Sequence, residues 1–197
     1  MQRCGNLSGN ETPENHPQKK ATRYQEQDKK KVAAYQAEIS AYPMEKIAYV
    51  DECGIDTYLY REYGYAVRGQ KVFSRISGRK YKRCGIVAAQ MNGRILAPLQ
   101  YRGTMDSSLF EFWFANQLLP ILEKGCVVVM DNASFHCKTR LFSVAQNAGI
   151  ILIFLPPYSP ELNPIEHFWA WLKRQLRKCL PASPSFNDAL FHTFQLV

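Results

Sequence analysis

Apolar positions recur along this chain at two different periods, and each change of period marks an element. Val32, Tyr35, Ile39 and Tyr42 follow one another at steps of three and four, and Pro43 comes next. That spacing predicts one amphipathic helix within Tyr24–Tyr42. Ile47–Asp51 reads as a short strand, and a turn-rich, glycine-containing stretch follows it. Lys82–Met91 and Arg94–Tyr101 read as two strands. The Asn92-Gly93 pair between them predicts a hairpin, because both residues tolerate positive φ. A helix is expected over Ser107–Leu119, with Ser108 and Glu111 spaced as a capping box and Pro120 at its end.

Cys126–Asp131 and Ile150–Leu155 are continuous apolar runs. Such runs suit strands buried on both faces, as in parallel sheets. Lys138–Ala148 between them has helical character, and Gly149 suits a C-terminal cap, so the three segments form a βαβ unit. A last helix begins near Asn163, with Ile165, Phe168, Trp169, Leu172 and Leu176 as its apolar stripe and Glu166, Lys173 and Arg177 on another face. The order predicts an α/β fold with a mixed sheet. It divides the chain into a flexible tail (1–18), a helical arm (19–45), a core (46–180) and a C-terminal extension (181–197).

Composition excludes several classes. With 46% hydrophobic and 21% charged residues in 197, the chain is not an acidic or polar disordered segment. No stretch approaches the ~18–20 apolar residues of a membrane span, and Met1–Lys20 lacks the apolar core of a signal peptide. A cytoplasmic protein is expected. Six cysteines are scattered without a C-x-x-C pair, which argues against zinc and for reduced thiols.

The net charge is +8, unevenly placed. Arg61–Met105 carries ten bases against the single acid Glu62, and His167–Leu180 carries four bases and no acid. Ile47–Tyr60 holds Asp51, Glu52 and Asp56 with no base, and Asp106–Glu166 is also net acidic. Basic stretches flanking small acidic islands suit a polyanion, nucleic acid above all. Arg68, Lys71, Arg79, Lys80, Lys173 and Arg177 are the candidate phosphate contacts.

Three acids sit where chemistry can use them. Asp51 and Asp131 each close an expected strand, and ligands of open α/β sheets gather at strand carboxyl ends. Glu166 opens the last helix and can reach the same edge. Clustered carboxylates repel unless a cation compensates them. Mg²⁺ prefers such oxygen ligands, and two ions ~3.5–4 Å apart can clamp a phosphodiester in line. Each acid also has a structural reading. Asp51 can cap a turn, and Asp131 can make an Asx-turn through Asn132-Ala133-Ser134. Asn163-Pro164-Ile165-Glu166 fits a capping box, with Asn at the N-cap and Glu at N3. Glu52 is expected to face away from Asp51. Asn132, His136, Asn163 and His167 are candidates to orient the three acids, to assist proton transfer or to serve structure alone. A serine triad built on Ser134 and His136 lacks its G-x-S-x-G turn.

Three strings carry a resemblance. Ala48–Gly54 (AYVDECG), Val129–His136 (VMDNASFH) and Leu155–Glu166 (LPPYSPELNPIE) resemble the DDE transposases of the mariner superfamily, in particular its bacterial insertion-sequence branch. Thirty-four residues separate Asp131 from Glu166, which agrees with that pattern. The resemblance covers roughly Lys46–Lys178. It implies a ribonuclease-H-like fold, a mixed five-stranded sheet flanked by helices, with Asp51, Asp131 and Glu166 holding Mg²⁺, or Mn²⁺ in its place, as two ions. It implies metal-dependent cleavage of double-stranded DNA at element ends, then transfer of the freed 3′-hydroxyl to target DNA, performed by a homodimer. Family members carry helix-turn-helix domains upstream of the first Asp, where this chain offers 50 residues, and Cys53 stands where relatives often have Thr or Ser. The expectation is therefore the catalytic half of a split or frameshifted frame, completed in cis or in trans, or a truncated remnant. Two alternatives stand beside it: a catalytically silent DNA-binding remnant, and a nuclease for RNA–DNA hybrids or branched DNA.

Overall fold

In the computed structural model, residues 24–57, 59, 65–73, 78 and 83–196 are described. The elements run α1 (Lys29–Ile39), β1 (Ile47–Asp56), β2 (Arg83–Met91), β3 (Arg94–Arg102), α2 (Ser107–Trp113), β4 (Val127–Met130), α3 (Lys138–Asn147), β5 (Ile151–Phe154), α4 (Ile165–Cys179) and α5 (Phe186–Phe194). The strands form one mixed sheet in the order β3-β2-β1-β4-β5. β1, β2 and β3 pair antiparallel, whereas β4 runs parallel to both β1 and β5.

The expected pattern is present, with informative departures. Asn92 (φ 53°) and Gly93 (φ 73°) make the β2–β3 turn, and Gly149 (φ 74°) follows α3. All four residues of β4 are buried, because helices cover both faces of the sheet. β1 extends to Asp56 instead of stopping at Asp51. Its later half pairs with β2 (Asp51↔Ala88 to Asp56↔Arg83) after its parallel partner β4 has ended. β3 carries a bulge between its pairings with Val87 and Ala89. Ala97 there adopts φ 46°, and Pro98 has no N–H to offer a ladder.

The helix after β3 is shorter than expected. Asp106, not Ser108, caps it by accepting from the Leu109 N–H at 2.8 Å, and Glu111 instead meets Arg140 of α3 at 3.1 Å. The backbone then widens into a π-turn over Phe114–Leu118 and closes in a 3-10 turn containing Pro120. α5, in the expected C-terminal extension, packs Ala189 and Leu190 with α4.

One face of the sheet (Ala48, Val50, Val87, Ala89) packs on Phe110, Trp113, Phe114 and Leu141. The other face is shared. Cys53, Ile55, Ile86 and Ala88 lie under the α4 stripe, while Ile47, Val127 and Val129 meet Tyr35, Ile39 and Tyr42 of the N-terminal arm. The five described cysteines are unbridged. Among the described residues, no helix is long and apolar enough to cross a membrane.

Candidate active site

Odd-numbered side chains of β1 point to the face shared by the N-terminal arm and α4, and Asp51 is one of them, between Tyr49, which packs with the arm, and Cys53, which packs under α4. The parallel pairing with β4 ends at Tyr49↔Val129. Asp51 therefore stands one strand-step beyond its shortened neighbour, and Asp131, the first residue after β4, stands beside that gap. Asp51, Asp131 and Glu166 border a single cleft of about 550 Å³ with Asn132 and Asn163.

The Asp51 carboxylate accepts a hydrogen bond at Oδ2 from the indole N–H of Trp169, 2.9 Å away. Burial pushes its pKa up to about 7, and the charges of Glu166 and Asp131 push in the same direction. The Trp169 N–H and the Glu52 backbone oppose the rise. Asp131 is half exposed. Its Oδ1 receives both the Ala133 N–H at 3.2 Å and the His136 ring at 3.1 Å. The Asx-turn is thus real, and it leaves Oδ2 for other work. An acceptor carboxylate requires the hydrogen on Nε2 of His136. That ring lies between Phe110 and Phe135, with centroids 4.3 and 4.2 Å away, and its Nδ1 is buried without a partner.

Glu166 occupies the first turn of α4 and is exposed to the cleft. The capping box expected there does not form. Asn163 is buried (3% exposed) and turns its side chain away from α4, so that Nδ2 donates to the Val50 carbonyl at 3.2 Å. No side chain caps the helix, and the Glu166 carboxylate is left facing the cleft. Asn163 ties the start of α4 to the strand that carries Asp51.

Other expected residues are more dispersed. Asn132 lines the cleft, whereas His167 is exposed and does not. Lys173 lies two helical turns below Glu166, and its ammonium, beside the Cys53 thiol, opposes the upward push of burial on that thiol. Arg177 is half-buried farther along α4. Arg68 and Lys71 are exposed in the β1–β2 connection and do not line the cleft; Arg79 and Lys80 lie outside the described residues. Glu52 turns to the opposite face, as expected, and burial followed by the charges of Asp131 and Asp51 raises it to about 7.

Three residues at the site escaped the pattern reading. Trp169 counted there as apolar stripe, although a buried indole N–H needs an acceptor. Tyr24 and Gln27, from the N-terminal arm, reach the far side of the cleft. Tyr24 lines it, and the Gln27 amide donates to the Tyr158 carbonyl, the Ser159 hydroxyl and Glu161.

Among the described residues, no three His, Cys, Asp or Glu side chains come close enough together to hold one metal ion; the three acids border an open cleft instead. An oxygen-only, open donor set fits Mg²⁺ or Mn²⁺, since Mg²⁺ commonly keeps waters and takes substrate phosphates beside one or two carboxylates. Burial first, and then the charges of Glu166 and Asp131, raise Asp51, and a hard cation relieves the repulsive part of that rise.

The fold has known counterparts. The chain superposes on the mariner Mos1 paired-end complex with Mg at a TM-score of 0.63 and 14% identity, covering 94% of this chain and 66% of that one. The shared fold is ribonuclease-H-like. The chain is 33% identical over 79 residues to the Tcb1 transposase of Caenorhabditis briggsae, or 38% of this chain and 29% of the relative. It is 45% identical over 47 residues to protein y4pE/y4sA of Sinorhizobium fredii, or 24% of this chain and 33% of the relative. The chain thus spans a third or less of these curated relatives. The model of the DDE superfamily endonuclease family matches residues 46–187, well over half of the chain, and the protein belongs to that family.

Proposed function

We propose that this chain is the catalytic domain of a transposase, centred on residues 46–180, that cuts double-stranded DNA and joins the freed 3′-hydroxyl to target DNA. The convergence of Asp51, Asp131 and Glu166 on one cleft carries the reading. The first reaction hydrolyses a phosphodiester and releases a 3′-hydroxyl. The second exchanges one phosphodiester for another, so neither ATP nor a covalent enzyme intermediate is needed.

The three carboxylates would hold Mg²⁺ or Mn²⁺, as two ions. When bound, such a pair supplies Lewis acidity to the attacking oxygen and the leaving oxyanion. Trp169 and His136 each occupy one oxygen of Asp51 and Asp131, which orients the remaining lone pairs. Asn163 keeps the Glu166 turn against β1. Asn132 faces the reacting phosphate, and Lys173 and Arg177 hold the DNA backbone beside it. Arg68, Lys71, Arg79 and Lys80 contribute longer-range attraction from the β1–β2 connection, and His167 a contact outside the cleft.

Element ends and target DNA are the partners, engaged by a homodimer in the bacterial cytoplasm. A helix-turn-helix segment, in cis or in trans, supplies end recognition. A complete set of three acids on one cleft favours an active enzyme over a silent DNA-binding remnant.

A short duplex with a recessed 3′-hydroxyl, incubated with plasmid and Mg²⁺ or Mn²⁺, tests the joining step. Covalent attachment of the duplex to the plasmid is expected, and it must vanish with a 3′-dideoxy end. Attachment that survives the dideoxy end would sink the strand-transfer reading.

A further inference from the structure

Two tyrosines share the lining of the acidic cleft. Tyr24, from the N-terminal arm, and Tyr158, from the loop between β5 and α4, have ring centroids 6.1 Å apart and planes tilted by 44°. Both rings are more than half exposed, at 52% and 55%. Leu155, Pro156, Pro157 and Pro160 add apolar surface to the same cleft. Phosphate chemistry at three carboxylates uses none of these groups.

Both rings are mounted by other atoms. Tyr158 has φ 57°, in the left-handed region that a tyrosine rarely adopts. Such a conformation persists where its surroundings over-determine it. Here the Gln27 amide donates to the Tyr158 carbonyl at 3.3 Å, and the Ser159 hydroxyl donates to the Pro157 carbonyl at 3.2 Å. Tyr24 is held by a turn in which the Gln27 N–H donates to its carbonyl at 3.3 Å. The arm behind it packs Tyr35, Ile39 and Tyr42 against the sheet. Gln27 already ties the arm to the loop through Tyr158 and Ser159, so that attachment does not need the rings. Half-exposed aromatic rings on a fixed mount, beside a site for a polyanion, suit the π-face of a nucleobase. The cleft, about 550 Å³, falls in the ~300–1,000 Å³ range of ligand clefts.

We propose that Tyr24 and Tyr158 form a stacking platform for one unpaired base of the DNA strand whose phosphate occupies the acidic cleft. The inference rests on the transposase reading and assigns a base subsite to it. Every base has a π-face, so the platform selects for an unpaired strand rather than for a sequence. A base must leave its duplex stack to reach the rings, which costs least where the strand is already single.

The test compares binding of the full chain to a duplex with a short thymidine tail and to the same duplex with an abasic tail, which keeps the phosphates and removes the bases. Wild type is expected to prefer the thymidine tail by about 5–100-fold, the range of one stacked base. Tyr24→Ala and Tyr158→Ala are each expected to lose most of that preference and to bind the abasic tail as wild type does. Tyr158→Phe is expected to keep it, because the ring and not the hydroxyl makes the contact. Equal binding of the two tails by wild type would overturn the platform. So would a preference that survives in either alanine variant, an equal loss on both tails, or a preference lost in Tyr158→Phe. Nicking of plasmid separates the two levels. If nicking depends on Asp131 while wild type binds both tails equally, the platform fails and the transposase reading stands. If nicking is indifferent to Asp131, the reading itself fails.

Discussion

Trp169 donates its indole N–H to Oδ2 of Asp51 across 2.9 Å, so the apolar stripe of α4 and the acid of β1 meet in one hydrogen bond. The same side chain that seals the core beneath the sheet also fixes a carboxylate at the edge of the cleft. Trp169→Phe keeps most of the packing and removes the donor. Hydrogen bonds to charged groups are worth about 1.5–3 kcal/mol, and one pKa unit is about 1.4 kcal/mol. The Asp51 pKa, already near 7, should rise by about one unit or more. Nicking by Trp169→Phe should therefore require a more alkaline pH, read from a pH–rate profile.

Stability without divalent metal should fall as pH rises from about 4 to about 7. Asp51 and Glu52 are raised by burial from their ordinary values to about 7, so the folded state holds protons that the unfolded state releases. Stability from this source is complete below the unfolded pKa and is lost progressively up to the folded one. Asp51→Asn should flatten the fall and raise the melting temperature at pH 8. Each kcal/mol is worth about 2–4 °C at this size. A melting curve that rises over this window would contradict the assignment.

Mg²⁺ or Mn²⁺ should raise the melting temperature of wild type in a saturable way. Binding to the folded state alone contributes about 2.7 kcal/mol at one hundred times the dissociation constant. The same titration on Asp51→Asn and Asp131→Asn should give little or no shift.

Asn163 separates two accounts of the start of α4. As an N-cap it would tolerate Asp, which caps as well. Its amide instead donates to the Val50 carbonyl, and a carboxylate cannot do so. Asn163→Asp should destabilise the protein by about 1–3 kcal/mol, through an unpaired buried carbonyl, in a denaturant titration.

His136→Ala should lower nicking about 10–100-fold while leaving the protein folded, because it frees the Asp131 carboxylate to rotate. A raised metal requirement should accompany the loss, which a packing defect among Phe110 and Phe135 alone would not produce.

Much of this was legible from local chemistry. The apolar run ending at Asp131 became the fully buried β4, and Asn92-Gly93 became the hairpin turn. Features set by distant partners were not legible. β1 outruns its expected end because β2 pairs with its later half. Ser108 and Glu111 carry capping-box spacing, yet Asp106, two residues earlier, holds the cap while Arg140 claims Glu111. Asn163 obeys capping statistics in sequence and breaks them in space, because a carbonyl 113 residues earlier needed a donor. Tyr24 and Gln27 meet the cleft only through the fold of the arm.

The most direct test is nicking of supercoiled plasmid with Mg²⁺ or Mn²⁺, comparing wild type with Asp51→Asn, Asp131→Asn and Glu166→Gln. The account predicts metal-dependent nicking by wild type and a loss of at least about a hundredfold in each variant, with all four proteins folded. Nicking that survives in any one of the three, or a folded wild type that never nicks, would contradict the claim that these acids form one catalytic centre.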